Sequence, residues 1–333
     1  MNDDAPLVRV IEGRGSWRSR ALSALLRLTS RQPLLQDTDI PALRRRYEEI
    51  EARHFAVDKW VVRDPVDCDG VSAEWVGVPE TRPGRVLLYL HGGSFAFRFP
   101  NIYAAFAARL CRRFAARALI PDYRLAPEHP FPAAPDDCHT VYRWLLATGH
   151  DPRDIILVGD SAGGNLALVT LGRARQAGEP LPACAVLLSP AVDCTLTSPS
   201  MVDNEALDPV LHLRSLLVLR HHYAPSPQLY MHPEVSPIFA DFTGYPPLFL
   251  QAGSSEMLRD EAIRTAQRAN AAGVHVELEL WPETPHVFQV ASFLPESALA
   301  LDHIVRFVVA RTGWETPALV DPAAPVAPSR QRQ

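Results

Sequence analysis

A serine framed by glycines, a glycine pair behind a histidine, a knot of carboxylates and a late histidine are the residues of this chain whose types and order could carry out acyl transfer. Ser161 lies in Gly159-Asp160-Ser161-Ala162-Gly163, directly after the apolar run Ile155-Ile156-Leu157-Val158 and directly before a helix-compatible stretch, residues 164–176. A serine at a sharp strand-to-helix turn is held in strained geometry with its hydroxyl clear of the sheet, and flanking glycines remove side chains that would collide there. Ser161 is therefore the candidate nucleophile. The five-residue pattern alone is weak, since ordinary glycine and serine usage yields it in roughly one chain in ten to twenty of this length.

The pattern has company. Upstream, the apolar run Val86-Leu87-Leu88-Tyr89-Leu90 leads into His91-Gly92-Gly93-Ser94-Phe95. A tetrahedral intermediate carries negative charge on the former carbonyl oxygen, and each preorganised backbone N–H aimed at it stabilises it by about 3–4 kcal/mol. The donors are assigned to Gly92 and Gly93, with a third from Ala162, the residue after the nucleophile. His91 reads as a structural histidine that holds the glycine loop, and Asp160 as a buried, hydrogen-bonded turn carboxylate.

The other two members of a Ser–acid–His set should follow in that chain order. His286 sits in the loop Pro282-Glu283-Thr284-Pro285-His286-Val287-Phe288, after an alternating strand-like run. As general base it would take the proton of Ser161 and return it to the leaving group, work suited to a pKa near neutrality. For the acid, the run Leu248-Phe249-Leu250-Gln251-Ala252 ends at Gly253 and then offers Glu256, Asp260 and Glu261. Glu256 is placed first because it lies just past the strand end, whereas Asp260 falls about one helical turn later. Either carboxylate could orient an imidazole, so Asp260 stays open.

Eight strand-like segments could position these residues, at 57–63, 71–78, 85–90, 117–121, 154–158, 183–189, 247–252 and 274–281. Helical stretches at 102–116, 134–148, 162–177, 257–272 and 297–311 alternate with the later ones, which predicts a mostly parallel sheet with helices on both faces. Ligands of such sheets bind beyond the carboxyl ends of the strands. Gly93, Ser161, Glu256 and His286 all follow strand ends. The last strand could be an exposed edge that pairs between subunits, giving a homodimer.

Two regions stand outside the alternation: residues 1–55, with helical spacing at 17–29 and 41–55, and an excursion at 194–232 bearing Leu211, Leu213, Leu216, Leu217 and Leu219. Both are expected to form a helical cap that excludes water and shapes an acyl pocket. The plainer alternatives are a solvent-facing arm and a peripheral helix. The catalytic domain would then span 56–315, and the proline- and alanine-rich tail, 316–333, is expected to be disordered.

Several linked motifs carry a family resemblance: His91-Gly92-Gly93, Asp122-Tyr123-Arg124-Leu125-Ala126-Pro127-Glu128 with Phe131-Pro132-Ala133-Ala134, Gly159 to Gly164, and Pro285-His286-Val287-Phe288. Over residues 84–310 the chain resembles the hormone-sensitive-lipase-like (bacterial family IV) esterases of the α/β-hydrolase superfamily. The resemblance implies the α/β-hydrolase fold with a helical cap, and a serine carboxylesterase without a cofactor. It implies short to medium acyl esters or small lactones as substrates. The family usually has aspartate where Glu256 stands, in a pattern resembling Asp-Pro-Leu-x-Asp-Glu. Here the residues are Glu256-Met257-Leu258-Arg259-Asp260-Glu261. Within the run 122–128, Pro121 and Pro127 should bracket a rigid turn whose charges pair with one another.

Composition narrows the alternatives. A net charge of −5, from 33 basic and 38 acidic residues, leaves no footprint for nucleic acid. Five cysteines without a C-x-x-C pair fit reduced thiols and a cytoplasmic location. No run reaches the ~18 apolar residues of a membrane span. His212, His221, His222 and His232 match no metal-ligand spacing, and no glycine-rich phosphate loop or dinucleotide fingerprint occurs. Ester hydrolysis is the main expectation. Amide or carbamate hydrolysis, or acyl transfer to an alcohol, could use the same triad. A non-catalytic small-molecule receptor on this fold is disfavoured by the presence of both Ser161 and His286.

Overall fold

Short apolar runs build the centre of the molecule. The computed structural model describes residues 7–29 and 33–315, so the expectation for the tail at 316–333 lies outside the described residues. Nine strands occur among these residues: β1 (Val8–Val10), β2 (Val62–Cys68), β3 (Val71–Gly77), β4 (Val86–Leu90), β5 (Arg117–Pro121), β6 (Ile155–Asp160), β7 (Cys184–Leu188), β8 (Leu248–Gly253) and β9 (Val276–Trp281). The helices are α1 (Trp17–Thr29), α2 (Ile40–His54), α3 (Pro100–Phe114), α4 (Ala133–Ala147), α5 (Ala162–Gln176), α6 (Ser200–Asp203), α7 (Leu213–Tyr223), α8 (Arg259–Ala271) and α9 (Pro295–Thr312).

The strands form one sheet in the order β1-β9-β8-β7-β6-β4-β5-β3-β2. Only β3 runs against the rest, pairing antiparallel with both β2 and β5. Every residue of β4, β6, β7 and β8 is buried, as a parallel strand covered on both faces requires. The two-residue period sorts their side chains. Leu88, Leu90, Leu157, Leu187 and Leu250 pack towards α4, α5 and α8. Leu87, Tyr89, Val158, Val186 and Phe249 pack on the other side towards α3 and α9.

The sheet departs from the sequence expectation in two places. β1, three residues with a central arginine, is too short to show a period, and it adds a ninth strand. It pairs parallel with β9 through Val8↔Leu278 to Val10↔Leu280, so β9 is not the exposed edge expected of the last strand. The first expected strand, 57–63, is displaced to β2 at Val62–Cys68. Its apolar Val57, Trp60 and Val61 instead pack on the core beneath the sheet. β2 contains Pro65, which is tolerated because this strand is the outer edge.

The charges of the 122–128 run do not pair among themselves. Asp122 meets Arg98, Arg124 meets Asp137 and Glu128 meets Arg44, so the turn is tied outward to α2, α4 and the glycine loop. Residues before β2 and after β7 touch each other and the strand ends. Arg27 donates to Leu207 O, Leu34 N to Ser215 Oγ, and Ile40 packs with Phe97 and Leu219. Among the described residues no helix is long and apolar enough to cross a membrane.

Candidate active site

β6 hands over to α5 at Ser161 with no loop between them. Ser161 takes φ 51° and ψ −119°, a conformation that costs a non-glycine residue about 1–3 kcal/mol and persists only where its surroundings enforce it. The enforcement is visible: Ser161 N donates to Leu188 O, while its own carbonyl accepts from Gly164 N and Ala191 N. Gly163 is obligatory here, because a Cβ on it would lie 1.9 Å from Leu90 O. Five of the nine non-glycine residues with positive φ among the described residues, Ser94, Phe95, Ser161, Ser189 and Val287, belong to the turns around this point.

The imidazole arrives from the far side. The loop after β9 brings His286 Nε2 to 3.0 Å from Ser161 Oγ, and Nδ1 to 2.7 Å from Glu256 Oε2. The carboxylate can only accept, so Nδ1 carries the proton and Nε2 is free to accept from the serine hydroxyl. Glu256, His286 and Ser161 are each almost wholly buried. Burial works against charge on the imidazole, but the hydrogen bond and charge of Glu256 outweigh it, leaving the His286 pKa above its ordinary 6.5.

Glu256 is held by more than His286. Its Oε1 accepts from Gly253 N and, at 2.8 Å, from Ser189 Oγ, which also accepts from Val287 N at 3.3 Å. Ser189 thus ties the acid to the histidine loop. From the segment after β7, Asn204 donates to Glu256 O at 2.8 Å, and Asp208 accepts from Met257 N at 2.9 Å. Ser19 of α1 clamps the other side, donating to Glu283 O at 2.8 Å. Sequence reasoning missed Ser189, Asn204 and Asp208, because nothing local marks a side chain whose partner is 49 or more residues away. Asp260 has other work: it accepts from Ser200 N at 2.9 Å and pairs with Arg259 at 2.8 Å, so the structure does not bring it to the imidazole.

The glycine loop corrects one assignment. Gly92 N donates to Asp160 Oδ1 at 3.0 Å, and that carboxylate also accepts from Tyr89 OH at 2.6 Å. Gly92 is therefore a tether, and its N–H is spent before any substrate arrives. The next residues turn back sharply, with Gly93 at φ 108° and Ser94 at φ 54°. Ala96 N and Phe97 N both return to Gly93 O, and Ser94 lines the same cavity as Ser161 and Ala162. His91 stacks between Tyr103 and Tyr123 and donates from Nδ1 to Gly92 O, and burial lowers its pKa to about 4. It stays neutral and structural. Burial lifts Asp160 to about 6.

Two cavities meet these residues. One, of about 50 Å³, is lined by Ser94, Ser161, Ala162 and the inner face of α7. The other, of about 1040 Å³, is bordered by His286, Val287, Phe288 and by Leu22 and Leu26 of α1.

Comparison with known proteins agrees with this geometry. Residues 87–290 match the model of a family with the α/β-hydrolase fold. The chain belongs to the α/β hydrolases, in their hormone-sensitive-lipase branch. An acetyl-hydrolase of Streptomyces hygroscopicus is 38% identical over 275 residues, covering 80% of this chain and 91% of that protein. An esterase of Acinetobacter venetianus is 34% identical over 292 residues, covering 87% and 96%. A crystal structure of an esterase of the bacterial hormone-sensitive lipase family superposes with a TM-score of 0.84 at 36% identity, covering 90% of this chain and all of that one. In this hydrolase, as the motifs implied, the sheet is mostly parallel and carries the candidate residues at strand ends.

Proposed function

We infer that this hydrolase cleaves carboxylic esters through a serine acyl-enzyme. The observation that carries the reading is the unbroken hydrogen-bond chain Glu256–His286–Ser161 at 2.7 and 3.0 Å. Ser161 Oγ attacks the ester carbonyl as His286 Nε2 takes its proton, and the imidazolium formed is stabilised by Glu256. Nε2–H then protonates the leaving alcohol. Water, deprotonated by the same nitrogen, attacks the acyl-enzyme and releases the acid. The oxyanion donors are the amides of Gly93, Ser94 and Ala162, Ser94 taking the place first given to Gly92.

Cavity sizes divide the substrate. The cavity beside Ser161 and Ala162 takes the acyl group, and its roughly 50 Å³ admits about four water-sized groups, which favours short acyl chains. The larger cavity lies beside the imidazole that must protonate the leaving oxygen, so it takes the alcohol. The segments 17–54 and 194–232 act as the cap, since Leu22 and Leu26 border the one cavity, and Leu216 and Leu219 the other. The small molecules acted on are esters; a relative's structure was soaked with p-nitrophenyl butyrate. Four of the five thiols are buried and all are unpaired, which fits a reducing cytoplasm.

A panel of p-nitrophenyl esters from acetate to octanoate, run beside Ser161→Ala, tests the reading. It expects a burst of p-nitrophenol equal to the enzyme concentration and fastest turnover on the shortest chains. Turnover that survives Ser161→Ala would overturn it.

A further inference from the structure

Helix α1 is mounted with serines turned inward. Ser19 and Ser23, 0% and 7% exposed, face the body of the protein beside Leu22 and Leu26. Ser16 donates to Glu296 from both N and Oγ, and Ser19 Oγ donates to Glu283 O at 2.8 Å, so hydrogen bonds pin the first turn. A helix packed on a protein ordinarily turns its apolar stripe to the core. In α1, Trp17, Ala21, Ala24 and Leu28 recur at the four- and three-residue spacing that keeps side chains on one face. That face is the outer one: all four are exposed, Trp17 by 69% and Leu28 by 67%.

Arginines border the stripe. At 3.6 residues per turn, Arg20 and Arg27 fall on one flank and Arg18 on the other, while Arg14 precedes the helix, and all four are exposed. Residues 13–29 contain these four arginines and no acid. Arg18 Nη1 donates to Phe293 O at 3.0 Å and Arg27 Nη2 to Leu207 O at 2.7 Å, contacts with neutral carbonyls that leave the positive charge in place. They also join two more exposed apolar side chains, Phe293 and Leu207, to the patch. A tryptophan- and leucine-bearing stripe flanked by arginines suits a helix lying in a lipid–water interface, where the apolar side chains enter the acyl boundary and the guanidinium heads stay with the phosphates. A second copy of the chain fits less well, since a two-fold contact sets a patch against itself and would bring four arginines against four.

We propose that α1 docks this protein on anionic phospholipid surfaces, with Trp17, Ala21, Ala24 and Leu28 towards the acyl chains and Arg14, Arg18, Arg20 and Arg27 among the phosphates. The helix lies along the surface and spans nothing. Leu22 and Leu26 on its inner side, together with Phe293, border the cavity that His286 also borders, so docking sets that cavity beside the lipid. Esters dissolved in the interface then meet the site. This consequence rests on the ester-hydrolase reading, whereas the docking itself does not.

The experiment sediments the full chain carrying Ser161→Ala, which removes the proposed nucleophile, with vesicles of phosphatidylcholine alone or mixed with phosphatidylglycerol. Binding is expected on the mixed vesicles, weaker on phosphatidylcholine alone and weakened by added salt. Arg14→Gln with Arg20→Gln should lower it about fivefold for each arginine removed. Trp17→Ser with Leu28→Ser should lower it about tenfold for each side chain. Both pairs sit at exposed positions, and an unchanged melting temperature shows that the fold is kept. Absence of binding to the mixed vesicles, or binding unaltered in both pairs, overturns the proposal. So does a dimer in sedimentation equilibrium that Trp17→Ser with Leu28→Ser splits while no vesicle is bound, which gives the patch to a second copy. Docking by a protein whose wild type hydrolyses no p-nitrophenyl ester would defeat the esterase reading and leave the docking standing.

Discussion

The strand-end side of the site and the side proposed as its cap are built on different principles. On the strand-end side, Ser161, Glu256 and His286 sit on turns between buried parallel strands, and their polar atoms are paired, with Glu256 alone receiving His286, Ser189 and Gly253. On the proposed cap side, α1, α2 and α7 expose large apolar residues such as Trp17, Leu28, Ile50 and Leu217, while Leu22 and Leu26 of α1 border one cavity and Leu216 and Leu219 of α7 the other. One half holds its polar groups fixed by hydrogen bonds; the other borders the cavities with apolar side chains. Changes to the first half should therefore lower kcat for every ester, and changes to the second should alter which ester is preferred.

The sharpest way to break this contrast is at the proposed nucleophile and base. Ser161→Ala and His286→Ala are each expected to lower kcat on the order of 10⁶-fold with the melting temperature retained, because members of such a set act as a unit. A loss confined to one substrate would dissolve the distinction between the halves. Glu256→Gln comes next, at about 10⁴-fold in kcat, since the amide no longer fixes the imidazole tautomer. The pH profile provides a second readout. The base must be neutral, so kcat/KM rises as pH passes the His286 pKa, with a midpoint above 6.5 in the wild type. In Glu256→Gln the burial that lowers that pKa is opposed only by the weaker charges of Asp208 and Asp160, so the midpoint moves down. Asp260→Asn, whose carboxylate faces Ser200 and Arg259, should leave the profile where it was.

The same division governs what could be read from the sequence. Ser161 and His286 were legible because local chemistry marks them: a glycine-flanked turn after an apolar run, and a histidine in a loop after an alternating strand. The central strands were legible for a related reason, as β4, β6, β7 and β8 must be apolar on both faces. β1 was not, because three residues show no period, and β2 was displaced because Pro65 and its acidic neighbours disguise an edge strand. The Gly92 amide was misassigned since the direction of an N–H depends on a carboxylate 68 residues away. Glu256 emerged from position in the chain, whereas Ser189, its support, belongs to a strand end that offered no sign of the contact.

Ser189 tests how far the rigid half extends. Ser189→Ala removes the hydroxyl that bridges Glu256 Oε1 and Val287 N without touching Ser161 or His286. The expected effect is about tenfold in kcat, the worth of one buried hydrogen bond, with KM little changed. The acid limb of the pH profile should shift as well, because a carboxylate less firmly held couples less well to the imidazole. A purely structural serine would lower the melting temperature and leave that limb in place.

The smallest effects belong to the cap, and a pair of variants makes them informative. Leu216→Ala enlarges the proposed acyl cavity and Leu22→Ala the proposed alcohol cavity, each by removing apolar atoms from a helix that carries none of Ser161, Glu256 and His286. A buried methylene is worth ~0.8 kcal/mol, or about fourfold in kcat/KM. Leu216→Ala should therefore raise the ratio of hexanoate to butanoate turnover about fourfold per methylene newly accommodated, while the ranking of alcohols holds. Leu22→Ala should weaken bulky alcohol esters by a similar factor and leave the acyl ranking alone. The two selectivities must move separately if the cavities divide the ester between them. Should either substitution shift both rankings together, acyl and alcohol groups share one space, and the assignment of the imidazole side to the leaving group is lost.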